Sequence, residues 1–145
     1  MTLGPAPDGA ITFGGMAQPR PKVFDYAVEL GADGTASIPG GEGFLPPAGW
    51  TADHLLLAAL VRCTLDSLAY HARRAGSVTT ASGSATGRVT KRTNDRYGFV
   101  EIDCCIDATL DPPIADTQAL AAKAERDCFV GSSLTVAPRY DWRLA

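Results

Sequence analysis

Six side chains in this chain carry sulfur or imidazole suited to chemistry: Cys63, Cys104, Cys105, Cys128, His54 and His71. The cysteines lack the paired CxxC spacing of a structural zinc site and are too few for a disulfide scaffold. In a reducing compartment each is either packed and inert or chemically employed. Cys63 stands inside TADHLLLAALVRCTLDSLAYHARRAG (51–76), and Cys128 inside ADTQALAAKAERDCFVG (115–131). Both stretches are expected as helices, so each of these cysteines is a core residue, a redox partner or a metal ligand. Two such helices packed side by side could bring the sulfurs within disulfide range, which the sequence alone leaves open. Neither cysteine is expected in a first turn, so a reactive Cys63 needs a cation from elsewhere in the fold.

Cys104 falls on the apolar face of an alternating strand and reads as a small buried hydrophobe. Cys105 points the other way, beside Glu101, Asp103 and Asp107, which disfavour a thiolate. Adjacent strand residues point apart, which argues against a Cys104–Cys105 disulfide. His54 precedes Cys63 by nine residues and His71 follows it by eight, roughly 12 Å along one straight helix. Both histidines are expected as solvated or capping groups. A Cys–His hydrolase would need a contact from a second chain.

The elements that must position these groups follow from periodicity. Residues 1–10 read as a loose tail and 10–13 as a short strand. PKVFDYAVEL (21–30) alternates and reads as a strand, GADG (31–34) as a turn, TASI as a return strand, and 39–50 as an irregular loop. The helix over 51–75 takes Thr51 as N-cap, Asp53 in its first turn, and Arg73 and Arg74 before Gly76. Its HLLLAALV core is apolar around nearly the whole circumference, which a small domain cannot cover alone, so a tight homodimer is expected. Segments 77–92 and 97–110 form a long antiparallel hairpin, the first edge-like. The second helix, 115–131, takes Asp116 as N-cap and carries Leu120, Ala124 and Cys128 on one face. A last strand, 134–144, contains Pro138 and suits an edge. The sum is one α+β domain over 1–145, with antiparallel strands, a buried central helix and a second shorter helix.

Composition bounds the function. The chain has 145 residues, 46% hydrophobic and 20% charged, and a net charge of -3. That balance argues against broad binding to nucleic acid or an anionic membrane. No transmembrane run is expected, and MTLGPAPDGA lacks the parts of a secretory signal, so a cytoplasmic location is expected.

TADHLLLAALVRCTLDSLAYHARR and the later AERDCFVGSSL together resemble the OsmC/Ohr family of small thiol peroxidases, and the element order agrees over residues 10–144. The resemblance implies an intertwined homodimer with the central helices at its middle. It implies Cys63 as the reactive cysteine and Cys128 as the resolving one. In the hydroperoxide-resistance branch an acidic residue stands ten positions before the reactive cysteine, where this chain has Asp53. An Arg from the N-terminal part pairs with it, and Arg20 is the one Arg before residue 60. The chain departs from the family in TADHL, where the classical members read closer to NPEQL, and in the proline-flanked setting of Arg20. Ten helical residues span roughly 15 Å, so Asp53 acts through a long Arg or across a dimer interface.

The resemblance implies reduction of organic or lipid hydroperoxides to alcohols, with an external dithiol, lipoyl-type or other, as reductant and no cofactor or metal. Leu56, Leu60 and Phe129 are the expected apolar lining. The rival reading is a non-catalytic dimer of the same fold that binds a small apolar ligand.

Overall fold

The computed structural model describes residues 19–145, which fall into two compact units divided between residues 46 and 47. The tail and the strand expected over 10–13 lie outside the described residues.

The N-terminal unit carries a three-stranded antiparallel meander: β1 (Glu29–Leu30), β2 (Ala36–Ser37) and β3 (Gly43–Phe44). The turn expected at 31–34 is present. Asp33 accepts hydrogen bonds from the Thr35 amide and hydroxyl, both at 2.9 Å, and Gly34 adopts φ +88°. The strand expected over 21–30 is paired only at Glu29 and Leu30. Alternation marks an extended chain, but a strand needs a paired neighbour, and β2 supplies two residues. The loop expected over 39–50 contains β3, where Gly43 lets the chains approach. A Cβ there would stand 2.9 Å from the Ala36 carbonyl oxygen.

The C-terminal unit is a three-stranded sheet backed by helices. Its elements are α1 (Ala52–Arg74), β4 (Val78–Lys91), β5 (Tyr97–Asp111), α2 (Thr117–Arg126), α3 (Phe129–Ser133) and β6 (Arg139–Leu144). Helix α1 begins as expected at Thr51. The Thr51 hydroxyl accepts from the His54 amide, and the Thr51 amide donates back to His54 Nδ1 at 3.1 Å. His54 is therefore a capping group. The helix ends where Gly76 turns to φ +80°. The Ser77 amide donates to Ala72 O and the Gly76 amide to Arg73 O, which satisfies two orphan carbonyls.

The sheet order is β4-β5-β6, so the two strands expected at edges are at edges. The β4–β5 hairpin runs in register from Val78↔Asp111 to Lys91↔Tyr97, with a bulge between Arg88 and Val89. Strand β6 pairs with β5 in parallel, from Asp103↔Arg139 to Ala108↔Leu144, which corrects the all-antiparallel expectation. Helices α2 and α3 carry the chain back to the end where β5 started, and such a return makes a parallel pair. Regular pairing starts at Arg139, just after Pro138. Leu134 and Val136 still pack inward, from a loop.

Two apolar clusters hold α1 to the sheet. Leu68 and Ala72 pack with Cys104, Ile106, Ala108, Leu110, Leu120 and Ala124. Leu60 packs with Ile102 and Cys128. Leu60, Thr64, Leu68 and Ala72 form the buried stripe of α1 at four-residue spacing, and each fully buried Leu contributes about 2 kcal/mol. The helix comes close to β4 at Gly83, where a Cβ would stand 2.7 Å from Ile106 Cδ1 and 3.0 Å from Val61 Cγ1. Its opposite side is not covered by the rest of the C-terminal unit. Ala58, Ala59 and Tyr70 are exposed there, beside an Arg62–Asp66 ion pair at 3.1 Å. By length and composition α1 would span a membrane. Here its inner stripe packs on the sheet as a core helix does.

Candidate functional site

Helix α1 and the junction between α2 and α3 bring two cysteines together. The expected continuous helix over 115–131 is broken: α2 stops at Arg126, Cys128 is extended (φ −77°, ψ 106°), and α3 restarts at Phe129. Cys128 therefore caps α3 and does not sit in a last helical turn, as the periodicity suggested. The stripe of Leu120, Ala124 and Cys128 nevertheless stays buried. Periodicity predicted which side chains face inward, and the break lies in the backbone. At the break Asp127 is held by Arg126 at 2.8 Å and by His71 Nε2, from α1, at 2.8 Å.

Within the apolar cluster Cys63 and Cys128 face each other closely enough to interact as thiols. Cys128 is fully buried, whereas Cys63 is part-exposed. Burial pushes the Cys63 thiol up, and the neighbouring Cys128 adds to that. The backbone N–H groups of Val130 and Phe129 face Cys63 and favour its thiolate. Among the described residues none of the groups that shift Cys63 is a cation. The apolar cluster it joins also holds Leu57, Leu60, Phe99, Ile102, Val130, Leu134 and Val136. Of the expected lining, Leu60 is in this cluster, Leu56 is half-buried and Phe129 is largely exposed.

Cys128 has its own partners. Its sulfur accepts from the Gly131 amide at 3.3 Å and lies 3.5 Å from the Thr64 hydroxyl, which is fully buried. Thr64 in turn hydrogen-bonds Leu60 O at 2.9 Å, and the Tyr140 hydroxyl faces it. Sequence reasoning missed Thr64 and Tyr140. The available signal was a hydroxyl on an otherwise apolar stripe, between Leu60 and Leu68.

Cys104 is buried, and burial first, then the nearby Cys128 and Cys105, pushes its thiol up to about 11. Cys105 is half-buried beside Asp141 (3.6 Å). Burial raises it first, Arg143 offsets that in part, and Asp141 and Asp107 raise it further. Both dispositions match the sequence reading.

The remaining expected residues are not gathered at the thiol pair within the C-terminal unit. Asp53 is exposed in the first turn of α1, and Arg20 belongs to the N-terminal unit. His71 is neither solvated nor capping, because its side chain is 10% exposed and held by Asp127. Both histidines are thus engaged away from Cys63. Among the described residues no group of three His, Cys, Asp or Glu side chains could hold a metal.

The Asp127 contacts carry a pH dependence. Arg126 first, and His71 after it, hold the Asp127 carboxyl down at about 2 against its ordinary 3.8. A depressed folded-state value contributes stability above the unfolded value that is lost as pH falls through the folded one. Urea unfolding should therefore show the wild type more stable than Asp127→Asn above pH 3.8, with the gap closing as pH falls toward 2. A gap independent of pH across that window would show that the ion pairs contribute nothing.

No protein-family model matches the chain, and no curated protein matches it. Solved structures do. An OsmC-like protein of unknown function from Vibrio cholerae superposes with a TM-score of 0.65 at 14% identity, over 74% of this chain and 82% of its own. An OsmC-like protein from Mycoplasma pneumoniae gives 0.62 at 17% identity, over 86% and 98%. An organic hydroperoxide resistance protein from Elizabethkingia anophelis gives 0.59 at 15% identity, over 88% and 100%. The fold is the OsmC-like fold.

Proposed function

We propose that the protein is a thiol-dependent peroxidase that reduces organic hydroperoxides to alcohols, with Cys63 as attacking thiol and Cys128 as resolving thiol. The observation that carries this reading is the facing pair itself: a part-exposed cysteine against a fully buried one, in an apolar surround. The similarity in fold to hydroperoxide resistance proteins supports it. The Cys63 thiolate attacks the distal peroxide oxygen, the O–O bond breaks, and the alkoxide leaves as alcohol after taking a proton. Cys63 is left as a sulfenic acid, which condenses with Cys128 to a disulfide and water. An external dithiol then reduces the disulfide by exchange. Arg20 is the proposed activating cation and Asp53 the carboxylate that orients it. Turnover of cumene hydroperoxide with a dithiol, measured as peroxide consumed, tests the activity. No consumption beyond buffer would leave the ligand-binding reading.

The working unit is proposed as a homodimer built around α1. Its motivation is the uncovered side of that helix, together with Trp50 at 49% and Tyr70 at 47% exposure. Sedimentation equilibrium should give twice the chain mass at micromolar concentration. A stable species of single-chain mass would refute the dimer.

A further inference from the structure

We infer that Thr64, braced by Tyr140, is the positioning residue that orients the Cys128 thiol for its condensation with oxidised Cys63. The inference rests on the redox roles proposed above for the two cysteines.

Thr64 follows Cys63 on α1 and turns inward, where its side chain is fully buried. A threonine has one proton to donate. The Leu60 carbonyl takes it at 2.9 Å, as a threonine inside a helix commonly arranges. The Thr64 oxygen is then left as an acceptor toward Cys128 Sγ, 3.5 Å away. The Gly131 amide, at 3.3 Å, can only donate to that sulfur. The Cys128 thiol is thus held with its S–H turned to Thr64. A sulfur lone pair is left for Cys63.

Tyr140 keeps this arrangement closed. It sits on β6, stacks on Trp142 with ring centroids 5.7 Å apart, and brings its hydroxyl beside residue 131, next to Cys128. Room for it exists because residue 131 is glycine. A Cβ there would stand 3.1 Å from Tyr140 Oη and 3.3 Å from Cys128 Sγ.

The orientation matters for one step. Cys128 Sγ attacks the Cys63 sulfenic sulfur, the S–S bond forms and the S–O bond breaks. The Cys128 sulfur is oxidised and the Cys63 sulfur reduced by the same two electrons. The thiol proton ends in the water formed from the departing hydroxide. A thiol free to rotate presents its proton to Cys63 for part of the time, and the step slows. Formation of the sulfenic acid does not involve Thr64.

The test separates this step from peroxide chemistry. In a Cys105→Ser background, excess dithiobis-nitrobenzoate should release one thionitrobenzoate as Cys63 is modified. A second is released as Cys128 attacks the mixed disulfide. Thr64→Val, which keeps the side-chain shape, should leave the first release unchanged and slow the second about tenfold, the cost of one lost hydrogen bond. Thr64→Ser should restore the second release, and Tyr140→Phe should slow it by a smaller factor. Equal second-release rates in wild type and Thr64→Val would overturn the inference. So would slowing of both releases together. If the bursts behave as expected while no hydroperoxide is consumed, the positioning role stands and the peroxidase reading falls.

Discussion

A Cys128→Ala protein is expected to consume about one equivalent of organic hydroperoxide and stop, with a sulfenic acid accumulating at residue 63. A Cys63→Ala protein is expected to consume essentially none. The asymmetry follows from the two environments. Cys63 is part-exposed and has the N–H groups of Val130 and Phe129 facing it, which favour a negative sulfur. Cys128 is sealed from solvent and held between Thr64 and Gly131. A peroxide can approach the first, while the second becomes useful only after the first has changed. Intact-mass spectrometry after a stoichiometric pulse of cumene hydroperoxide reads the outcome directly. The wild type should lose two hydrogens as the disulfide closes, and the Cys128→Ala protein should gain one oxygen. A Cys104→Ala, Cys105→Ser protein should behave like the wild type within a few-fold, because neither residue belongs to the facing pair. Oxygen gained at residue 128 in the Cys63→Ala protein, at the wild-type rate, would reverse the roles. A wild type that keeps all its thiols would remove the peroxidase reading altogether.

The parts legible in the sequence were those governed by periodicity and local capping. The alternation of Ile102, Cys104, Ile106 and Leu110, the inward face of Leu120, Ala124 and Cys128, the Thr51 and Asp116 caps and the Gly76 stop all depend on neighbours within a few residues. What the sequence did not reveal depends on groups brought from afar. At the break, Asp127 is held by His71, fifty-six residues earlier. The parallel pairing of β6 depends on where α2 and α3 return the chain, which no local pattern encodes. Thr64 looks like an indifferent helix residue until Cys128 and Tyr140 arrive beside it. Of the four residues singled out for catalysis, periodicity placed Cys128 on an inward-facing stripe, but the redox roles of both cysteines came from the resemblance. Arg20 and Asp53 were assigned by resemblance, and their part in the chemistry is a proposal.

That proposal gives the second large effect: Arg20→Gln should raise the pH at which Cys63 becomes reactive and slow peroxide reduction near neutrality. Within the C-terminal unit burial pushes the Cys63 thiol above its ordinary range, and the N–H groups of Val130 and Phe129 only partly oppose this. A thiol left in that state is almost wholly protonated at pH 7, so an efficient peroxidase needs a cation to favour the thiolate. An adjacent guanidinium lowers such a pKa by about one to three units. Removing it would cut the thiolate fraction by about a hundredfold for a two-unit change, while the more basic thiolate regains about tenfold in nucleophilicity. The net loss at neutral pH is then roughly tenfold, larger if the guanidinium also stabilises the departing alkoxide. Arg20→Lys should recover part of the rate, since the charge remains but the planar fork does not. Asp53→Asn should give a smaller loss, because the carboxylate acts only by orienting Arg20. The check is the pH profile of Cys63 alkylation by iodoacetamide in a Cys105→Ser background. The midpoint should move upward in Arg20→Gln, and the peroxide rate should recover as pH rises through it. An unchanged midpoint with an unchanged peroxide rate would remove Arg20 from the chemistry and leave Cys63 to be activated by some other cation.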